Sequence, residues 1–211
     1  MPLIKVCGMT ELAQVQSLAV MGVDFVGFIF YPKSPRYVAD KLDGKKVKAV
    51  HDIQKVGVFV NEAFDNLAKT VEEYGLTHVQ LHGDEGESYC RAAGKLAKVI
   101  KVFRITGEEN LRELVSPYVS VADYFLFDTK VKEYGGSGKK FDWGALLSMP
   151  FENPFFLSGG IGADDVGDVK AFILHHPSAH QLILDLNSKF ETAPGVKDLN
   201  LLQKTIADLK R

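Results

Sequence analysis

Cysteine is scarce in this chain. Its 211 residues include only Cys7 and Cys90. Two cysteines so far apart make neither a disulfide framework nor a zinc-binding spacing, and a reducing, cytoplasmic compartment suits them best. Charge of one sign is also lacking. A net charge of −2 leaves no electrostatic footprint for nucleic acid or an anionic membrane surface. Long apolar runs are absent too. Nothing approaches the ~18 uninterrupted apolar residues of a transmembrane helix. The first apolar stretch gives way at once to polar Thr10, Glu11 and Gln14, so no signal peptide is expected. Residue-level repeats, low-complexity segments and linkers are missing as well.

What is present is a core. Hydrophobic residues make up 46% and charged residues 25%, ordinary for a globular domain. Eight short apolar runs recur, at 3–7, 25–30, 56–60, 78–81, 99–103, 124–128, 154–157 and 182–186. Runs such as FVGFIF and VGVFV are apolar at nearly every position, as strands of a parallel sheet covered on both faces must be. Helical patterns separate most of them. Leu12, Val15, Leu18 and Ala19 share one face, with Gly22 at the C-terminal capping place. Asn61 is positioned to cap a helix with the face Phe64, Leu67, Ala68 and Val71, and Asp84 with Glu87 has capping-box spacing. Leu199, Leu202, Ile206 and Leu209 stripe a last helix. The segments after runs two and six are ambiguous. Eight β/α units in this length predict an α/β fold, a single (β/α)8 TIM barrel over residues 1–211, with a doubly wound open sheet as the alternative.

A barrel of this type carries its chemistry at the C-terminal strand ends. Those ends hold Cys7, Arg36, Asn61, Gln80 and His82, Arg104, Asp128, the stretch SGGIG, and Asp185 followed by Asn187 and Ser188. Gly159 and Gly160 allow a tight turn and close approach to a ligand. A helix start just after them would aim N–H groups and a positive dipole end at an anion. Together with Asn187–Ser188 they form a candidate phosphate grip, although glycines alone also make a plain turn. The loop GGSGKK, 135–140, reads either as extra N–H donors or a lid, or as a solvated connection.

Cys7 has two readings. A free cysteine is commonly a small buried hydrophobe. At the top of strand one, before Gly8, it would instead face the mouth, where a modest lowering of the thiol pKa makes a base. Asp128 ends YFLFD. Partial desolvation favours a protonated carboxyl, which suits a general acid, while helix capping or a lysine pair is the structural alternative. Base, acid and phosphate grip together suggest a sugar-phosphate isomerase.

The same residues resemble a known family, phosphoribosylanthranilate isomerase, over essentially the whole chain. IKVCGMT resembles its opening K-x-C-G-[ILM]-[TR]. FIFYPKSPRYV, VGVFVN, VQLHGDE, GGSGKKFDW and FLSGGI resemble its internal motifs, and LDLNSKFETAPGVKD its closing block. Asn187, Lys189 and Phe190 depart from the D-x-S-S-G-V-E pattern common there. The resemblance implies an Amadori rearrangement of N-(5-phosphoribosyl)anthranilate, with Cys7 as general base and Asp128 as general acid. It implies phosphate on Gly159, Gly160, Asn187 and Ser188, and no metal or organic cofactor. Arg36 would meet the anthranilate carboxylate, rather than form a surface ion pair. Gln80, His82 and Asp185 are further substrate-binding candidates; His82 alternatively ties loops, and Asp185 forms a core ion pair. Lys5, on the face of Cys7, either lowers the thiol pKa or satisfies a carboxylate. The expected partner is a small phosphorylated substrate, without nucleic acid or membrane, and the expected state a monomer or homodimer. The rivals are a non-catalytic phosphate-ligand-binding barrel and an isomerase of a related aminoaldose phosphate.

Overall fold

The computed structural model describes residues 2–129, 143–147 and 149–210. Eight parallel strands close on themselves in chain order. They are β1 (Leu3–Val6), β2 (Phe25–Ile29), β3 (Gln54–Phe59), β4 (His78–Leu81), β5 (Lys98–Ile105), β6 (Tyr124–Thr129), β7 (Phe155–Leu157) and β8 (Leu182–Leu186). Closure is made by β1 against β8, with Lys5 opposite Asp185 and Val6 opposite Leu186. That pairing removes both sheet edges and excludes the doubly wound alternative.

Helices connect the strands: α1 (Leu12–Val20), α2 (Gly44–Lys48), α3 (Phe64–Tyr74), α4 (Glu87–Ala93), α5 (Leu111–Val115), α6 (Gly144–Leu147) and α7 (Val166–His175). A short antiparallel hairpin, β9 (Glu191–Ala193) with β10 (Val196–Lys197), follows β8, and α8 (Leu199–Lys210) ends the fold. The two ambiguous segments hold short helices, α2 of five residues and α6 of four, which explains their weak periodicity. The core has two layers. Phe25, Val56, Ile100, Val102, Leu126, Phe156 and Ile183 form a cluster of their own inside the barrel. A larger cluster fills the space between sheet and helices. This is why the strands read as apolar on both faces.

Two capping expectations fail. Ala63 is the N-cap of α3. Asn61 instead takes a left-handed φ of 52° and accepts from the Asp84 backbone N–H at 2.7 Å. Gly86, without a side-chain cap, precedes α4, so Asp84 and Glu87 form no capping box there. Both side chains were read as local caps because spacing cannot reveal that the loops after β3 and β4 lie side by side. The GGSGKK loop lies outside the described residues.

Candidate active site

Cys7 sits one residue beyond β1, at the C-terminal mouth. Its N–H donates to Leu186 O at 2.8 Å, so the chain stays in register with β8 until the thiol. Gly8 then turns with φ 78°, and Met9 N–H donates to Gly27 O at 2.9 Å. The sulfur lies on bare backbone of β2, for a Cβ added at Gly27 would stand 2.6 Å from Sγ. A glycine at 27 therefore makes the space the thiol occupies. Burial pushes the Cys7 thiol up, Lys5 pulls it back, Asp185 adds to the rise and Lys197 opposes it. The net direction is upward, against the simple expectation of a lowered thiol, because Cys7 is buried and desolvation outweighs the nearby cations.

Lys5 is fully buried inside the barrel, below Cys7. Its ammonium donates to Gln80 Oε1 at 2.7 Å and to Asp185 Oδ1 at 3.0 Å. Burial alone would lower its pKa, but the Asp185 carboxylate and Cys7 carry it above the ordinary lysine value. Burial pushes the Asp185 carboxyl up while Lys5 draws it down. Burial outweighs Lys5, so the net direction at Asp185 is upward. An ammonium only donates, so Gln80 must present its oxygen to Lys5 and its NH2 to His82 Nδ1, 3.3 Å away. A neutral His82 then carries its proton on Nε2, which faces Asp128 Oδ2 at 3.5 Å. One polar chain thus runs across the mouth from Asp185 through Lys5, Gln80 and His82 to Asp128. Asp128 itself is nearly buried, its side chain 14% exposed, and its Oδ1 accepts from Thr129 N–H at 2.9 Å.

A second cluster lies above Gly8. Arg36 forks onto Glu191: Nε donates to Oε1 at 2.9 Å and Oε2 at 3.0 Å, and Nη2 to Oε2 at 2.6 Å. Lys197 Nζ donates to Glu191 Oε1 at 2.7 Å and Asn187 Oδ1 at 2.8 Å. The Arg36 stem and Asn187 Oδ1 both press on Gly8, whose hypothetical Cβ would lie 2.7 and 2.9 Å from them. Burial raises the Glu191 carboxyl, but its bonds to Arg36 and Lys197 outweigh that and hold it below the carboxylate range. Burial lowers Lys197 despite Glu191. With both basic groups charged, two cations share one carboxylate, and the cluster is net positive beside Cys7.

The SGGIG stretch follows β7. Gly159 and Gly160 take φ of 92° and 75°, conformations that favour glycine. A single 3-10 turn, Ala163–Asp165, leads into α7, and Gly162 N–H already donates to Asp165 Oδ2 at 2.7 Å. Ser188 opens another 3-10 turn after β8. The Lys189 stem lies against Gly162, whose hypothetical Cβ would be 3.4 Å from Lys189 Cβ, so the loops after β7 and β8 meet. The Asn187 side chain turns its oxygen to Lys197, accepting from Nζ at 2.8 Å, and Nδ2 takes no part in that bond. Among the described residues no group of three His, Cys, Asp or Glu side chains is arranged to hold a metal ion, and no helix is long and apolar enough to cross a membrane.

A family model described as N-(5'phosphoribosyl)anthranilate (PRA) isomerase matches residues 4–208. The chain belongs to the phosphoribosylanthranilate isomerase family. Its members are enzymes of tryptophan biosynthesis, and this chain is a TIM-barrel isomerase of that family. The N-(5'-phosphoribosyl)anthranilate isomerase of Phocaeicola vulgatus is 41% identical over 212 residues, covering 99% of this chain and 98% of its own. The crystal structure of phosphoribosyl anthranilate isomerase from Thermotoga maritima superposes with a TM-score of 0.84 at 32% identity, over 100% of this chain and 99% of that one. Another solved isomerase, 27% identical with a TM-score of 0.79 over 100% and 99% of the two chains, is in complex with reduced 1-(o-carboxyphenylamino)-1-deoxyribulose 5-phosphate.

Sequence reasoning missed three members of the site. Gly27 looked like one small residue in an apolar strand. Glu191 and Lys197 lay inside a quoted block, ETAPGVK, yet carried no assignment. Pro194–Gly195 was a turn signal between them, and a hairpin there brings the two side chains together.

Proposed function

We propose that this chain converts N-(5-phosphoribosyl)anthranilate to 1-(o-carboxyphenylamino)-1-deoxyribulose 5-phosphate by acid–base catalysis, with Cys7 as base and Asp128 as acid. The observation that carries the assignment of roles is the polar chain across the mouth, which links the surroundings of Cys7 to Asp128 through a buried ammonium and one histidine. Asp128 protonates the furanose ring oxygen and the ring opens to an iminium. Cys7, as thiolate, takes the proton from C2 and leaves an enolamine, which tautomerises to the ketone. The iminium is the electron sink, so the rearrangement calls for no metal or organic cofactor. Burial disfavours the thiolate before ring opening. The iminium brings a positive charge to the site when the base is needed, and Lys5 and Lys197 add theirs.

His82 Nε2–H steadies the Asp128 carboxylate left after proton transfer. Asp185, held by Lys5, orients the sugar hydroxyls. The phosphate rests on backbone N–H groups of Gly159–Gly160 and Asn187–Ser188, at the meeting of the last two barrel loops. Arg36 receives the anthranilate carboxylate. Residues 1–211 act as one catalytic domain, and the two unpaired cysteines suit a reducing cytoplasm.

The test is a progress curve. Purified protein, treated with chelator, is added to freshly generated N-(5-phosphoribosyl)anthranilate, and loss of substrate fluorescence is followed. Decay well above the spontaneous background, with the rearranged ketose as product, is the expected result. A flat trace from folded protein would overturn the proposal in favour of a phosphate-ligand-binding barrel.

A further inference from the structure

Resting on the reading of Arg36 as the carboxylate receptor, we infer that Glu191 is a positioning residue that fixes which edge of the Arg36 guanidinium meets the substrate. A guanidinium offers five N–H groups along planar edges, and each edge matches one carboxylate. Glu191 takes the side edge, formed by Nε and Nη2. The end edge, formed by Nη1 and the other Nη2 hydrogen, is the one left for the anthranilate carboxylate. Arginine stems are flexible, so without Glu191 the side edge would compete for the same ligand and the plane would turn.

Glu191 is itself held on several sides. Its side chain is 5% exposed. Oε1 accepts from Gly195 N–H at 3.1 Å across its own hairpin turn and from Lys197 Nζ at 2.7 Å. Thr10 Oγ1 donates to Gly195 O at 2.7 Å, which pins the hairpin to the loop that follows Cys7 and Gly8. Lys197, wholly buried, offsets the Glu191 charge. A substrate carboxylate approaching Arg36 therefore meets a net positive pair of cations rather than an opposing anion. The β9–β10 hairpin is thus a rigid bracket for Arg36, built from the same block of chain that follows the phosphate loop.

The experiment compares wild type, Glu191→Gln, Glu191→Ala and Arg36→Ala. Each is measured for kcat, for KM and for inhibition by two reduced product analogues, one with the o-carboxylate and one carrying plain aniline. Melting curves identify folded variants, and the isosteric Glu191→Gln guards against collapse of the hairpin. Expected for both Glu191 variants is a KM raised about tenfold, roughly one lost charge-assisted contact, with kcat changed much less. Binding of the carboxylate analogue should weaken in parallel, and binding of the aniline analogue should not. Equal weakening toward both analogues would overturn the inference, because the hairpin would then only shape the site. Normal binding in the Glu191 variants with weakened carboxylate binding in Arg36→Ala would also overturn it, while leaving Arg36 as the receptor. Normal binding in all variants would overturn both.

Discussion

Two histidines stand four residues apart on one strand run and live in opposite surroundings. His78 opens β4 at the N-terminal floor of the barrel. Its ring lies edge-on to Phe25 at 5.3 Å and near Tyr124 at 5.4 Å. Phe156 closes the same aromatic cluster against Phe25 and Tyr124. Burial there drives the imidazole down to about 4. His82, just past the other end of β4, faces a glutamine amide and the Asp128 carboxylate. The floor is a cluster of edge-on and tilted rings around one buried imidazole, whose Nδ1 pairs with Thr77 Oγ1 at 2.8 Å. The mouth is a chain of donors and acceptors whose order is set by a buried ammonium. One residue type thus serves as packing at one end and as a polar partner at the other, and the direction of the parallel strands decides which.

The contrast predicts a strict ranking of effects. Cys7→Ala should lower kcat by about 10³-fold or more while circular dichroism stays native. Cys7→Ser should be nearly as poor, because a hydroxyl is a far weaker acid than a thiol. Asp128→Asn should follow with a loss of about 10²–10³-fold, since the amide cannot protonate the ring oxygen; a loss within fivefold would remove Asp128 from the role of acid.

Lys5→Met tests the buried ammonium through pH. The active form of Cys7 is the thiolate, so kcat/KM should rise with pH as the thiol ionises. Lys5 pulls the thiol down, and its removal should shift that rising limb to higher pH, costing about tenfold at neutral pH per unit of displacement. An unmoved limb would show that Lys5 serves only Asp185.

The floor should respond in stability and not in rate. His78 protonates near 6.5 when unfolded and at about 4 when folded. Between those values the unfolded chain binds more protons, so stability is full above 6.5 and falls with pH, by about 3 kcal/mol once pH reaches 4. His78→Phe should flatten that acid slope in urea titrations and leave kcat within about twofold. A large loss of kcat would break the separation between floor and mouth.

The fold was legible in the sequence because parallel strands buried on both faces give unbroken apolar runs, and eight of them ended in polar residues. Most candidate positions at the mouth were legible for the same reason, since the strand ends named them, although Asn61 and Arg104 meet Asp84 instead. Most partnerships were not, although a buried ion pair is one reading of both Lys5 and Asp185, which pair at 3.0 Å. That Glu191 clamps Arg36 depends on a hairpin 155 residues away in sequence, and that Gly27 houses Sγ depends on the turn after β1 crossing β2. The upward push on Cys7 was missed because spacing shows neighbouring charges along a strand but not the burial around them. Asn61 and Asp84 were misread as caps because local spacing cannot register a contact between two loops.

The most direct test of the account is single-turnover consumption of N-(5-phosphoribosyl)anthranilate by Cys7→Ala and Asp128→Asn beside wild type, with each variant shown to be folded and to bind the reduced product. The account predicts that both variants hold the ligand and fail to form ketose. Ketose formation by Cys7→Ala at a rate near wild type would contradict it.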